Sequence, residues 1–398
     1  KGESDSRYLE STLNRVLICV LNFNDKCIYM PIITHVFKTY FPDTHGGLEE
    51  AIRQIGKYSI SKGFEVRVVS VSKVPRENEL EGIKCKSYLF SLGSSSMPVS
   101  IDMAKDFARI VKETDILHLH FPYPYGELLT LFTRVKKPIV VTFHCEIRNR
   151  LFLRVCYEPF IRILMKKVNV IVPTSTNLLN STPILKRYKQ KTKVINLWLD
   201  KTRFESISDV DVSFRSKIEK LGQYALFTGV LRWYKGLDFL LDAAKNVKGN
   251  IVIVGKGPLK ETIEKRIREE NLTNVYMLGF LSDSELCYVL RKCRFFVLPS
   301  ISPAEAFGQV LLEASYFSKA MITTELGTGT SYVNLHNETG FVVPPRNNVE
   351  LQKAMNILFL DNILCENMGK NAFVRYESIF REEIQGEKYV NLYNRLLS

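Results

Sequence analysis

What most limits this chain is an alternation. Short apolar runs rich in β-branched residues take turns with stretches of helical spacing, and the series runs through twice. Such alternation specifies parallel sheets covered by helices, because each parallel strand needs a crossover to bring the chain back. In the first half the strand candidates are Ile32–Val36, Glu65–Val71, Ile116–His120, Ile139–His144, Val168–Pro173 and Val194–Leu199. In the second they are Ala225–Val230, Asn250–Val254, Val275–Leu278, Phe295–Pro299, Ala320–Thr324 and Phe341–Val343. At 398 residues the chain exceeds one ordinary core, so the expectation is an α/β protein of two domains, each with its own sheet.

Residues 1–29 fit the alternation poorly, and two readings of them stay open: Met30 as the biological start, or an ordinary N-terminal extension. Beyond them the chain divides into a first domain over 30–200, a second over 201–375 and a C-terminal helix over 376–398. The polar, weakly periodic stretch Asp200–Gly222 is the expected linker region. Near the end, Tyr389, Leu392, Tyr393 and Leu396 share one helical face, which is expected to pack back on the first domain.

Lys and Arg number 55 against 42 Asp and Glu, a formal net charge of +13. An excess of that size bears on association and not on fold, and it admits nucleic acid, anionic lipid or phosphorylated substrates as partners. No zinc finger, RNA-recognition signature or dense Lys/Arg block is present, so nucleic acid is set aside. The eight cysteines are scattered without a Cys-x-x-Cys pair and read as reduced, cytosolic thiols. No run approaches the roughly 20 apolar residues of a membrane-crossing helix.

Three loops at strand ends carry chemistry. The first strand runs into a loop ending in Gly46 and Gly47, with a helix starting near Leu48. Glycines there leave backbone N–H groups bare at the positive end of a helix, where phosphate oxygens can approach, although a glycine pair before a helix is more often a plain turn. In the second half the loop Gly229–Gly236 follows a strand and places Arg232 and Lys235 at the carboxyl edge of the sheet, where open α/β sheets bind ligands. A planar guanidinium and a mobile ammonium suit a diphosphate; a solvated basic loop is the bland alternative. The strand Phe295–Pro299 leads into a loop with Glu305, Phe307 and Gly308, and the following helix carries Glu313. Two glutamates so spaced, one in the loop and one a turn into the helix, can face one cleft from different heights.

The stretch Glu146–Lys167 interleaves Arg148, Arg150, Arg154, Arg162, Lys166 and Lys167 with Leu151, Phe152, Leu153, Phe160, Ile161 and Leu164. A basic amphipathic helix of this kind can lie in an anionic membrane surface, with Arg148, Arg150 and Arg154 as contacts. The alternative is a helix packed on the sheet with its charges merely solvated. Asp209-Val-Asp211 has the form of a carboxylate pair that holds a divalent metal, but it lies in the linker, and no metal is expected.

Several ordered matches add to these readings: Asp43-Thr-His-Gly-Gly47, Val141-Thr-Phe-His144, Gly229–Gly236, Val254-Gly-Lys-Gly-Pro258, Val297-Leu-Pro-Ser300 with Glu305 and Glu313, and Glu338–Pro345. Together they resemble glycosyltransferase family 4, retaining enzymes of the GT-B fold, from about Met30 to the C-terminus. The runs His35–Asp43, His120-Phe-Pro122 and Gly327–Thr330 look most similar to bacterial O-antigen mannosyltransferases. The resemblance implies two Rossmann-like domains facing each other across a cleft. It implies a nucleotide-sugar donor, GDP-mannose, and a lipid-linked glycan acceptor, with no cofactor, at the cytoplasmic face of the inner membrane.

By position the resemblance also implies a catalytic set. His144 would lie near the hydroxyls of the transferred sugar, Arg232 and Lys235 on the leaving diphosphate and Glu305 on the sugar. Gly46 and Gly47 would meet the donor phosphate, Phe307 and Gly308 would flank the donor, Glu313 would bind the ribose, and Lys256 and Gly279 would lie near the base. One departure stands out: many members carry Arg after the glycine corresponding to Gly229, and here it is Val230, so Arg232 is expected to supply that cation. A UDP-sugar-dependent member of the family and a GT-B-fold epimerase are the alternatives. A non-catalytic sugar-nucleotide binder fits less well, because it would be free to lose the Glu305 and Glu313 pair.

Overall fold

The computed structural model describes residues 29–94, 97–146, 151–205 and 210–398, with 151–156 as backbone only. In chain order the strands of the first half are β1 (Ile32–Val36), β2 (Glu65–Ser72), β3 (Arg76–Leu80), β4 (Ile83–Leu89), β5 (Leu92–Ser94), β6 (Met97–Val99), β7 (Ile116–Phe121), β8 (Ile139–Phe143) and β9 (Val170–Pro173). Those of the second half are β10 (Tyr224–Thr228), β11 (Asn250–Val254), β12 (Val275–Gly279), β13 (Phe295–Leu298), β14 (Ala320–Thr324) and β15 (Gly340–Val343). They form a seven-stranded sheet ordered β3-β4-β2-β1-β7-β8-β9, a six-stranded sheet ordered β12-β11-β10-β13-β14-β15, and a small β5-β6 ribbon. Both large sheets are parallel except for the β3–β4 pair. Their central strands are mostly apolar because helices cover both faces.

Two departures from the sequence expectation have physical causes. Val194–Leu199 is not a strand: pairing beyond β9 ends at an isolated bridge between Ile171 and Thr192. The Asn196 N–H goes instead to Gln385 Oε1 (3.0 Å), and its side chain donates to the Thr174 carbonyl (2.7 Å). The apolar run Leu197–Leu199 is buried by packing rather than by a ladder. Conversely, the β3–β4 hairpin is charged and half exposed, and its signal is the Glu81-Gly82 turn, where both residues have positive φ as a two-residue hairpin requires.

Two apolar cores result, and the C-terminus exchanges between them. The helix Asn362–Ile379 lies on the second sheet, with Met368, Ala372 and Tyr376 in its core. The chain crosses at Phe380–Arg381, a few residues beyond 376. The helix Glu382–Leu397 then places Tyr389, Val390, Leu392 and Tyr393 in the core of the first domain.

The described part of the linker is structured. Asp200 is buried and takes Arg53 (2.7 Å) and Lys57 (3.2 Å) from the helix Gly47–Ser61. Helices Thr202–Glu205 and Val212–Glu219 follow, and Asp211 caps the second by accepting the Ser213 and Phe214 N–H groups. Asp211 thus has a structural partner, and Asp209 lies outside the described residues. No described helix is long and apolar enough to cross a membrane.

Candidate active site

The cleft is built from strand ends. In the first domain β1 delivers the chain to Gly46, whose extended backbone opens the helix Gly47–Ser61. In the second domain β13 delivers it to Gly308, a left-handed N-cap (φ 77°) that opens the helix Gln309–Tyr316. These two helix N-termini meet across the cleft: a Cβ on Gly47 would stand 2.9 Å from Gln309 Oε1. Each end carries backbone N–H groups without intrahelical partners and a positive dipole, a pairing suited to an anion. Gln309 Nε2 is buried there without a partner.

Lys235 lies beside this meeting point. It is 7% exposed, and its Nζ pairs with Glu305 Oε2 at 2.6 Å. Glu305, equally buried, also accepts the Ser300 hydroxyl (2.9 Å). The loop is compressed by glycines: a Cβ on Gly236 would collide with the Pro299 carbonyl, and one on Gly255 with that of Gly229. Arg232 is exposed in the same loop. Tyr234, between Arg232 and Lys235, has its hydroxyl pKa raised by burial and is close enough to feel Lys235, Glu305, Arg232 and, from the first domain, Cys145. Glu313, one turn into the Gln309–Tyr316 helix, is buried, which lifts its carboxyl to about 7. Arg203 from the linker approaches it at 3.6 Å.

His144 follows β8 and is fully buried, which pushes it down to about 3. It ends a ladder that sequence reasoning did not foresee. His144 Nε2 bonds His120 Nδ1 (3.0 Å), and His120 Nε2 bonds His35 Nδ1 (2.9 Å). His118 stacks on His120 (centroids 4.6 Å, 21°) and bonds Tyr393 Oη (2.8 Å) and Thr142 Oγ1 (2.7 Å), the latter also meeting Tyr389 Oη (3.0 Å). Burial holds all four imidazoles neutral. The His-x-His spacing at 118 and 120, with β1 in register alongside, was the available signal: period two puts these rings on one face of the sheet. Although nitrogens of His35, His118 and His120 lie within 4.8 Å, the rings are stacked or tilted side by side and bond neighbours. A metal site would need lone pairs converging on one point.

The remaining expected residues are dispersed. Lys256 Nζ sits over the exposed Phe280 ring at 4.7 Å, and the Gly279 carbonyl accepts the Gly255 N–H (2.7 Å). The Phe307 ring is buried against Phe380 (6.2 Å), so its side chain belongs to the core and not to the cleft. Arg148 and Arg150 lie outside the described residues, and Arg154 falls on the helix Leu151–Lys167, where its side chain is not described.

Sucrose-phosphate synthase from Thermosynechococcus elongatus superposes with a TM-score of 0.74 at 18% identity, covering 92% of this chain and 99% of that one. Anabaena Alr3699/HepE in complex with UDP-glucose gives 0.72 at 17%, covering 92% and 99%. Two parallel-sheet domains facing across a cleft, together with these neighbours, define the GT-B fold. The profile described as Glycosyltransferase Family 4 matches residues 45–203, and that described as Glycosyl transferases group 1 matches 211–375. O-antigen chain mannosyltransferase C of Escherichia coli is 34% identical over 369 residues, 92% of this chain and 98% of that one. D-rhamnosyltransferase WbpZ of Pseudomonas aeruginosa is 36% identical over 352 residues, 87% and 92%. The chain belongs to glycosyltransferase family 4.

Proposed function

We propose that this enzyme moves mannose from GDP-mannose, with retention, to a lipid-linked glycan in O-antigen synthesis. The observation that carries the reading is the convergence of two helix N-termini and the buried Lys235–Glu305 pair at one point of the cleft. When the sugar–phosphate bond breaks, negative charge grows on the departing diphosphate. Lys235, Arg232 and the bare N–H groups at Gly47 and Gln309 meet that charge, and such electrostatic stabilisation is the largest single contribution in many active sites. These fixed cations supply the charge a divalent metal would otherwise bring. Released from Lys235 by the phosphate, Glu305 is free to accept sugar hydroxyls, and His144 offers Nδ1, a buried nitrogen without a protein partner.

The sugar is argued from the relatives, one named for mannose and one for D-rhamnose, hexoses that differ only at the sixth carbon. A neighbouring structure holds UDP-glucose, so the base needs a direct test. Thermal shift with GDP and UDP side by side is that test, since a ligand of the native state raises the melting temperature. A shift with GDP is expected; a shift with UDP and none with GDP would remove the mannose donor.

Attachment to the cytoplasmic face of the inner membrane belongs to the same reading. Phe132 is 80% exposed and Ile163 55% exposed. Arg162, Lys166, Lys186, Arg187 and Lys189 are exposed around them. The segments are tied together by Lys167 donating to the Thr130 (2.7 Å) and Thr133 (3.0 Å) carbonyls and by Lys191 donating to those of Lys166 (2.7 Å) and Val168 (3.0 Å). Apolar side chains ringed by cations fit an anionic bilayer surface.

A further inference from the structure

We propose that Arg203 is a positioning residue for nucleotide binding: it aims the Glu313 carboxylate and favours its charge, so that Glu313 can accept two neighbouring ribose hydroxyls. The inference rests on the reading of Glu313 as the ribose ligand.

The geometry is specific. The Arg203 guanidinium is fixed by Asp283 (2.5 and 3.4 Å) and reaches Glu313 Oε1 at 3.6 Å. It lies over the Phe204 ring (5.4 Å), and Phe204 in turn packs on Tyr316 and Phe317, at the end of the helix that carries Glu313. The linker helix Thr202–Glu205 is therefore docked on the same helix as the carboxylate it serves. Three residues earlier, Asp200 is clamped by Arg53 and Lys57 of the Gly47–Ser61 helix. One short segment thus ties the helix that starts at Gly47 in the first domain to the helix that carries Glu313 in the second.

Chemistry explains why the arginine is needed. An ionised carboxylate only accepts hydrogen bonds and can take two diol hydroxyls side by side, whereas a protonated acid turns one oxygen into a donor. Burial pushes Glu313 up to about 7, so at neutral pH its charge is in balance. The groups facing it are Arg203 from the linker and Lys235 from the β10 loop, which favour the charge, and Asp283 and Glu50, which oppose it. Of the two favourable charges, Arg203 acts on the carboxylate more strongly. Removing it raises the carboxyl further and protonates it at pH 7; raising the pH ionises it again.

The experiment is calorimetric binding of GDP, with UDP in parallel, from pH 6 to pH 9 in the full chain. Arg203→Met, which keeps the stem and loses the charge, is expected to weaken affinity about tenfold at pH 7, with the loss shrinking toward pH 9. Arg203→Lys should stay within about threefold of wild type. Asp283→Asn removes the tether but also an opposing charge, and should bind no more weakly than wild type. The double variant Arg203→Met/Glu313→Gln should bind no more weakly than Glu313→Gln alone, because Arg203 acts through that carboxylate. A loss in Arg203→Met that is the same at every pH, or that adds to that of Glu313→Gln, would overturn the proposal. So would an equal loss in Asp283→Asn, which would make Arg203 a mere tie between helices. Weak binding by Glu313→Gln beside wild-type binding by Arg203→Met sinks this inference alone. Unchanged binding by Glu313→Gln sinks the ribose reading beneath it.

Discussion

Replacing Lys235 with Ala acts on two quantities that the structure allows to be separated. Its ammonium lies 2.6 Å from Glu305, with both side chains 9% exposed. At an effective dielectric of 20 that contact is worth roughly 6 kcal/mol of attraction, most of it offset by the cost of burying two charges. Truncating one partner leaves the other charge buried and alone, which costs about 3–5 kcal/mol. For domains of this size each kcal/mol lowers Tm by about 2–4 °C, so a fall on the order of 10 °C is expected. Catalysis loses a separate amount, because one fixed donor to a developing anion contributes about 3–4 kcal/mol, or two to three orders of magnitude in kcat. The assay is release of the nucleoside diphosphate, run beside thermal unfolding, on Lys235→Ala and on Lys235→Met/Glu305→Gln. The double variant removes both charges and should recover most of the lost Tm while staying inactive. Turnover in Lys235→Ala within tenfold of wild type would refute the diphosphate assignment, and an unchanged Tm would refute the buried pair.

Transfer should survive chelation, because Lys235 and Arg232 supply cationic charge in the loop after β10; loss of activity in EDTA with recovery on adding magnesium or manganese would contradict this. Vesicle flotation should show binding to anionic liposomes that weakens as salt rises, and Phe132→Ser/Ile163→Ser should reduce it; equal binding to neutral vesicles, or none, counts against the membrane face. Acid should destabilise the fold through the histidine ladder. The four folded pKa values lie below the unfolded value of 6.5, so the unfolded state binds more protons and stability falls as pH drops below about 6.5, by up to about 1.4 kcal/mol per pH unit per histidine. Glu313 and Glu127, raised by burial, act oppositely over the same range. His118→Asn should make the urea midpoint fall less steeply from pH 7 to pH 5, and an unaltered slope would speak against a buried neutral ladder.

Sequence patterning revealed most of the architecture because parallel strands buried on both faces must be apolar throughout. All six strands of the second sheet lie where their apolar runs stand. Patterning is silent where burial and pairing part company. Val194–Leu199 has the composition of a strand, but its partner is a helix nearly two hundred residues later, and no local pattern reports that. The β3–β4 hairpin fails in the opposite direction, since an edge ribbon can be charged. At the site, loop motifs marked Gly47, Lys235, Glu305 and Glu313, whose types declare their chemistry. Arg203 looked like one more charge in a polar linker. The ladder was invisible because His35, His118, His120 and His144 come from three separate strands and meet only once the register is set.

The crossing of the last helix has a consequence for how the chain is made. A ribosome delivers the first domain early, and domains generally fold as they emerge. Here residues 30–200 emerge with one wall missing: His118, Thr142, Trp198 and Phe64 await Tyr389, Val390, Leu392 and Tyr393, which are synthesised only after the whole of the second domain. Until then the nascent first domain exposes aromatic and imidazole surface that water or a chaperone must cover. The second domain, whose own helices close over its sheet by Phe380, needs no such help. Vectorial synthesis therefore finishes the half that started first only after the other, and a chain cut before Glu382 would leave the first half open while the second is complete.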